Sequence, residues 1–138
     1  MAGYSGTPLS KKLGIKNGST VVLVGAPDGF ELELAPLPEE VTVRRRLSGQ
    51  NLDVIVLFVS ARAELERRFP GAAKSLQPAG GLWVAWPKRA SGVPIDLTEN
   101  VVREVGLATG LVDNKVCAIS DVWSGLRFVI RLIDRRRG

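Results

Sequence analysis

The sequence contains no histidine and only one cysteine, Cys117. Without an imidazole there is no Ser-His-Asp or Cys-His catalysis, no histidine-ligated zinc and no side chain built to exchange protons near neutrality. With a single thiol no internal disulfide can close, which points to a reducing, cytoplasmic address. No apolar run approaches the roughly 20 residues needed to cross a bilayer, so no membrane association is expected. Residues 1–4 open directly into polar sequence, and no secretory signal is expected either. Repeats and low-complexity blocks are absent. No two carboxylates can be brought together from spacing alone, so no catalytic and no metal-ligating residue is assigned.

What is present suits one globular domain: 138 residues, 45% hydrophobic and 24% charged. The formal net charge is +5, but three of the arginines behind it, Arg135, Arg136 and Arg137, lie in a basic tail at 134–138. A second cluster, Arg44, Arg45 and Arg46, follows an alternating apolar segment. It reads as the charged end of an edge strand or, alternatively, as a phosphate-binding patch. No aromatic residue interleaves with either run, so nucleic acid is not an expected partner.

Residues 1–18 read as an N-terminal helical segment, with Thr7 as N-cap, Pro8 at the first helical position and Gly14 as the stop. Residues 20–24, 52–59 and 82–86 are short, nearly continuous apolar runs, the pattern of strands covered on both faces. Ser60 reads as the N-cap of a helix carrying Ala61, Leu65 and Phe69, interrupted at Pro70-Gly71. Asp96, with Glu99 three residues on, reads as the N-cap of a helix lined by Leu97, Val101, Val105 and Ala108. Residues 115–120 and 126–133 are β-rich, and their connection is too short for a parallel crossover, which predicts an antiparallel hairpin. Residues 41–46 also alternate like a strand, about six residues before the next. A crossover between parallel neighbours wants a dozen, so this strand is expected to run antiparallel at a sheet edge. The alternative is a parallel strand two places away, reached by a nearly extended link. These elements predict an α/β fold: a three-layer, Rossmann-like sheet of about six strands over residues 19–133, with a parallel centre and a C-terminal antiparallel hairpin.

The order of these features resembles a shortened class I S-adenosylmethionine-dependent methyltransferase. A first strand ends at Gly25 in Gly-Ala-Pro-Asp-Gly, Leu76-Gln77-Pro78-Ala79-Gly80 leads into a late central strand, and a hairpin closes the sheet. The sequence is also similar, over nearly its whole length, to a bacterial family, domain of unknown function 3052. Residues 4–9, 52–56, 80–88 and 112–117 carry that similarity. The methyltransferase resemblance implies S-adenosylmethionine as cofactor, approached by a Gly-x-Gly-x-Gly loop and held at its ribose by an acidic residue ending the second strand. Here Pro27 removes one amide donor from the loop, and the matching strand end offers Arg44, Arg45 and Arg46, which are donors only. The chain is also shorter than the pattern by about one helix-strand-helix unit. These departures weigh against ordinary cofactor binding.

In open α/β sheets ligands sit beyond the carboxyl ends of the strands, which here places a rim at residues 25–30, 60–62 and 86–91. The expected partner is a small anionic metabolite or nucleotide. It is held between Gly25, Ala26, Asp28 and Gly29 on one loop and Trp86, Lys88, Arg89 and Ser91 on another. The expected function is non-catalytic binding of that ligand on a degenerate methyltransferase-like scaffold. The alternative is a protein-interaction or homodimerisation module using the hairpin, with Trp123 at the interface. Nucleic-acid binding and an active methyltransferase rank below both. Cys117, in an apolar β-run, is expected to be a buried, inert thiol, and Asp53 a hydrogen-bonded residue at a strand entry.

Overall fold

The structure, a computed structural model, describes residues 7–89, 92 and 95–137. The chain runs α1 (Leu9–Lys12), β1 (Thr20–Val24), α2 (Phe30–Leu34), β2 (Thr42–Arg44), β3 (Leu52–Phe58), α3 (Arg62–Ser75), β4 (Leu76–Pro87), α4 (Glu99–Leu107), β5 (Val112–Ala118) and β6 (Trp123–Val129). A 3₁₀ segment, Leu132–Arg137, closes it. The strands form one sheet in the order β2-β1-β3-β4-β6-β5. β2, β1, β3 and β4 are parallel, while β6 runs antiparallel to both β4 and β5. The mixed α/β sheet with its parallel centre and closing hairpin is as the sequence predicts.

Alternation along the central strands sorts the core into two layers. Val21, Leu23, Val54, Val56, Phe58, Trp83 and Ala85 face α1 and α2, packing with Leu13, Phe30 and Leu34. Val22, Val24, Ile55, Leu57, Leu82, Val84 and Trp86 face α3 and α4, packing with Leu65, Phe69, Val102 and Val105. Both faces of β1, β3 and β4 are therefore covered, which is why their sequences are almost uniformly apolar. Trp83 is fully buried, and its indole N–H donates to the Leu13 carbonyl at 3.1 Å, fastening the end of α1 to the centre of the sheet. Gly106 on α4 lies so close to the Phe128 ring on β6 that a methyl group there would overlap it. Asp53 is the strand-entry residue the sequence suggests: its carboxylate accepts from the Thr20 N–H at 2.8 Å and from Gln77 Nε2 at 3.3 Å.

Residues 41–46 overturn the antiparallel expectation. β2 pairs parallel with β1, Thr42 opposite Thr20 and Arg44 opposite Val22, so it lies two places from β3. The return is feasible because β2 is only three residues long and stops level with the middle of β1. Two strand spacings across and about three residues down amount to roughly 14 Å, well within reach of the 45–51 link. That link passes over the α3 face, where Leu47 packs against the core, and contains no helix.

Local punctuation also differs from the sequence reading. α3 continues through Pro70 without interruption and leads straight into β4, which begins at Leu76. The residue preceding α1 is Pro8 rather than Thr7, and the one preceding α3 is Ala61 rather than Ser60. α4 is capped by Thr98, whose hydroxyl accepts from the Val101 N–H at 3.2 Å, and not by Asp96. The last strand ends at Val129, and Leu132 and Ile133 are largely exposed. No helix among the described residues is long and apolar enough to cross a membrane.

Candidate functional site

The parallel strands β1, β3 and β4 all end at one rim, so residues 25–29 and 86–89 emerge on the same side of the molecule with the end of β3 between them. The chain leaves β1 leftward for β2 and returns on the other side for β3. The switch of strand order, where α/β sheets open a crevice, therefore lies between the loops that follow β1 and β3.

The first loop is drawn tightly onto the sheet. Gly25 has φ +73°, and a Cβ there would come within 2.9 Å of the Phe58 carbonyl oxygen, so no other residue fits without a shift. Gly29, at φ +77°, precedes α2. Arg45 lies across this loop. Its Nη1 donates to the Ala26 carbonyl at 3.0 Å and its Nη2 to the Pro27 carbonyl at 3.1 Å. Its Nε and Nη2 each donate to an oxygen of Glu31 at 2.7 Å. The fork holds the Glu31 carboxyl down at about 2, below the usual carboxylate range, through the hydrogen bonds from Arg45. Asp28 is exposed beside the arginine and adds to its electrostatic setting.

The second loop borders a cleft of about 440 Å³. Trp86, Pro87, Ile95 and Leu97 supply its apolar walls, and Arg89 and Thr98 its polar groups. Lys88 does not line this cleft; its backbone N–H donates to the Val122 carbonyl at 2.7 Å, tying the loop to the start of β6. Gly25, Ala26, Asp28 and Gly29 do not line it either. Of the residues singled out in the sequence, Trp86 and Arg89 are thus brought together. Ser91 lies outside the described residues. Trp123 begins β6 opposite Pro87, half-buried, with its ring edge-on to Phe58 at 5.1 Å; Phe58 meets Phe30 in the same manner at 4.9 Å.

Sequence reasoning missed three participants. Ile95, Leu97 and Thr98 line the cleft from just ahead of α4, a position that no local pattern announces. Asp96 accepts from the Arg62 N–H at 2.8 Å and so satisfies the start of α3 from across the rim. Cys117 is half-buried, and burial pushes its thiol up, away from the reactive thiolate. Among the described residues no cluster of His, Cys, Asp or Glu could hold a metal ion.

The fold is that of methyltransferases. A protein from Bordetella parapertussis superposes with a TM-score of 0.63 at 12% identity, over 88% of this chain and 65% of that one. The cyclopropane synthase MmaA2 of Mycobacterium tuberculosis gives a TM-score of 0.58 at 18% identity, over 80% of this chain and 61% of that one. This chain thus spans less than two thirds of the length of either. A SAM-dependent methyltransferase from Aquifex aeolicus gives a TM-score of 0.61 at 18% identity, over 88% of this chain and 87% of that one. No family model matches the chain, and no curated protein matches it in sequence.

The residues present do not fit S-adenosylmethionine. The end of β2, where an acidic residue would accept from the ribose hydroxyls, carries Arg44, Arg45 and Arg46, and the Arg45 guanidinium covers the carbonyls of the first loop. None of these three side chains can accept a hydroxyl proton.

Proposed function

We propose that this methyltransferase-like domain is a non-catalytic binder of a small anionic ligand, seated in the cleft of Trp86 and Arg89 at the carboxyl rim. One observation carries the reading: Arg89 lines a cleft whose other walls include Trp86, Pro87, Ile95 and Leu97. Its volume, about 440 Å³, lies in the range that holds a small metabolite. An apolar wall with one guanidinium selects a flat, mainly apolar body bearing a carboxylate. The Thr98 hydroxyl, which accepts from Val101, retains its own proton to donate. The lack of histidine, the raised Cys117 thiol and the clamp on the cofactor loop all support binding without chemistry.

Titration of tryptophan fluorescence with benzoate, AMP and S-adenosylmethionine tests this. Benzoate is expected to bind, with loss of binding in Arg89→Ala and loss of the optical signal in Trp86→Phe. No response to benzoate, or a response that Arg89→Ala leaves unchanged, would remove the reading. Response to S-adenosylmethionine alone would restore a methyltransferase role.

A second reading, a homodimer through the hairpin, rests on β5 being an edge strand with Val116 half exposed. Light scattering tests it, and a strict monomer at high concentration removes it.

A further inference from the structure

We propose that the groove between the 45–51 link and α3 is a second, separate binding site, for the phosphoryl group of a small phosphorylated molecule. The groove exists because the link carries no helix. α1 and α2 cover β1 on one face, but on the other α3 lies over β3 and β4, and only Leu47 of the link fills in beside it. An opening of about 430 Å³ remains, floored by Val24 and Leu57.

Its walls are cationic from both sides. Arg45 and Arg46 stand on the link, and Arg67 and Arg68 on α3; no carboxylate is among the lining residues. Two of these charges have partners just outside: Arg45 is paired with Glu31 at 2.7 Å, and Arg68 faces Glu64 at 3.6 Å. Among the described residues Arg46 and Arg67 have no ion-pair partner. The Arg68 Nε–H is buried and makes no hydrogen bond, its nearest carboxylate being Glu64 at 3.6 Å. Arg46 and Arg67 thus bring two positive charges without carboxylate partners among the described residues to opposite walls of one opening, which an anion would join.

The arrangement chooses among anions. Two uncompensated positive charges match a phosphate monoester, which carries roughly −1.5 to −2 at neutral pH and offers three oxygens to donors on both walls. A lone carboxylate serves one fork and leaves the opposite wall unmet. A single-stranded nucleic acid would want aromatic platforms, and the floor here is Val24 and Leu57. The groove shares no lining residue with the cleft of Trp86 and Arg89, so either site can fail alone.

Gly71 supplies the decisive variant. It lines the groove from α3, and a Cβ built there meets nothing within 4 Å, so a larger side chain fills the opening without disturbing the core. Isothermal titration of the full chain with pyrophosphate, inorganic phosphate and AMP is expected to show one site for phosphoryl groups. Gly71→Leu and Arg67→Ala should each weaken it about tenfold or more, with thermal stability retained. Arg89→Ala should leave it unchanged. The proposal is overturned if wild-type protein takes up none of the three at millimolar concentration, or if both groove variants bind as wild type. It is equally overturned if an oligonucleotide binds and pyrophosphate does not compete with it, since the arginines would then serve a nucleic-acid surface.

Discussion

Arg45 and Glu31, fourteen positions apart, form a two-pronged ion pair with both oxygen contacts at 2.7 Å, while the same guanidinium caps the Ala26 and Pro27 carbonyls. One side chain therefore joins the end of β2, the loop after β1 and the first turn of α2. Both partners are substantially exposed, at 40% and 41%, so the pair does little for global stability; its effect is on where the loop sits.

Its pH dependence follows from the lowered Glu31 carboxyl. The group stands at about 2 in the folded chain against an ordinary 4.5. A carboxylate with a depressed folded value contributes fully above its unfolded value and loses that contribution as pH falls through the folded one. The loop should thus stay clamped at neutral pH and loosen between about pH 4.5 and 2. A carbon-detected NMR titration of Glu31 is expected to find its midpoint well below the other exposed glutamates. Arg45→Ala should return the midpoint to the ordinary range and speed amide exchange at Ala26 and Asp28. An ordinary midpoint in the wild-type protein would show that the clamp does not form.

Two helical glycines make opposite predictions for the same substitution. At Gly106 the added methyl would overlap the Phe128 ring, which is itself fully buried and edge-on to Phe69 at 5.2 Å. Gly106→Ala forces α4 off β6 and should cost about 1–3 kcal/mol, as overpacking does. At Gly71 the methyl enters open space, and relief of glycine's chain entropy should add about 0.5–1 kcal/mol. Urea denaturation of the two variants reads both signs. Equal effects would mean that α4 does not approach β6 as closely as described.

Much of the architecture is legible in the sequence because covered strands and hairpins have local signatures. Val21 to Val24 and Val54 to Phe58 are apolar on both faces because both faces are covered, and the short connection after β5 forces antiparallel pairing. The direction of residues 41–46 is not legible: it depends on β2 ending early, and three residues with half-exposed Val43 carry no stop signal. The site was harder to read than the fold. That Trp86 and Arg89 border the same cleft follows from their places at and just beyond the end of a buried strand. The arginine groove instead depends on a face that no helix covers, and on Arg45 meeting a glutamate from another element. Neither is a property of any local window.

Asp96 shows how a correct residue can be given the wrong helix. Its spacing to Glu99 mimics a capping box for α4, yet Thr98 takes that role and the Asp96 carboxylate accepts instead from the Arg62 N–H of α3 at 2.8 Å. It thereby fixes the loop that walls the Trp86 cleft to the start of a neighbouring helix. Asp96→Ala should cost about 0.5–2 kcal/mol, the usual value of an N-terminal cap. Thr98→Ala should cost a similar amount through α4 alone. The two differ in where they act. Hydrogen exchange should rise at the first turn of α3 in Asp96→Ala and at the first turn of α4 in Thr98→Ala. If Asp96→Ala instead exposed α4 and left α3 protected, the carboxylate would be capping its own helix as the sequence spacing suggests, and the tie across the rim would be absent.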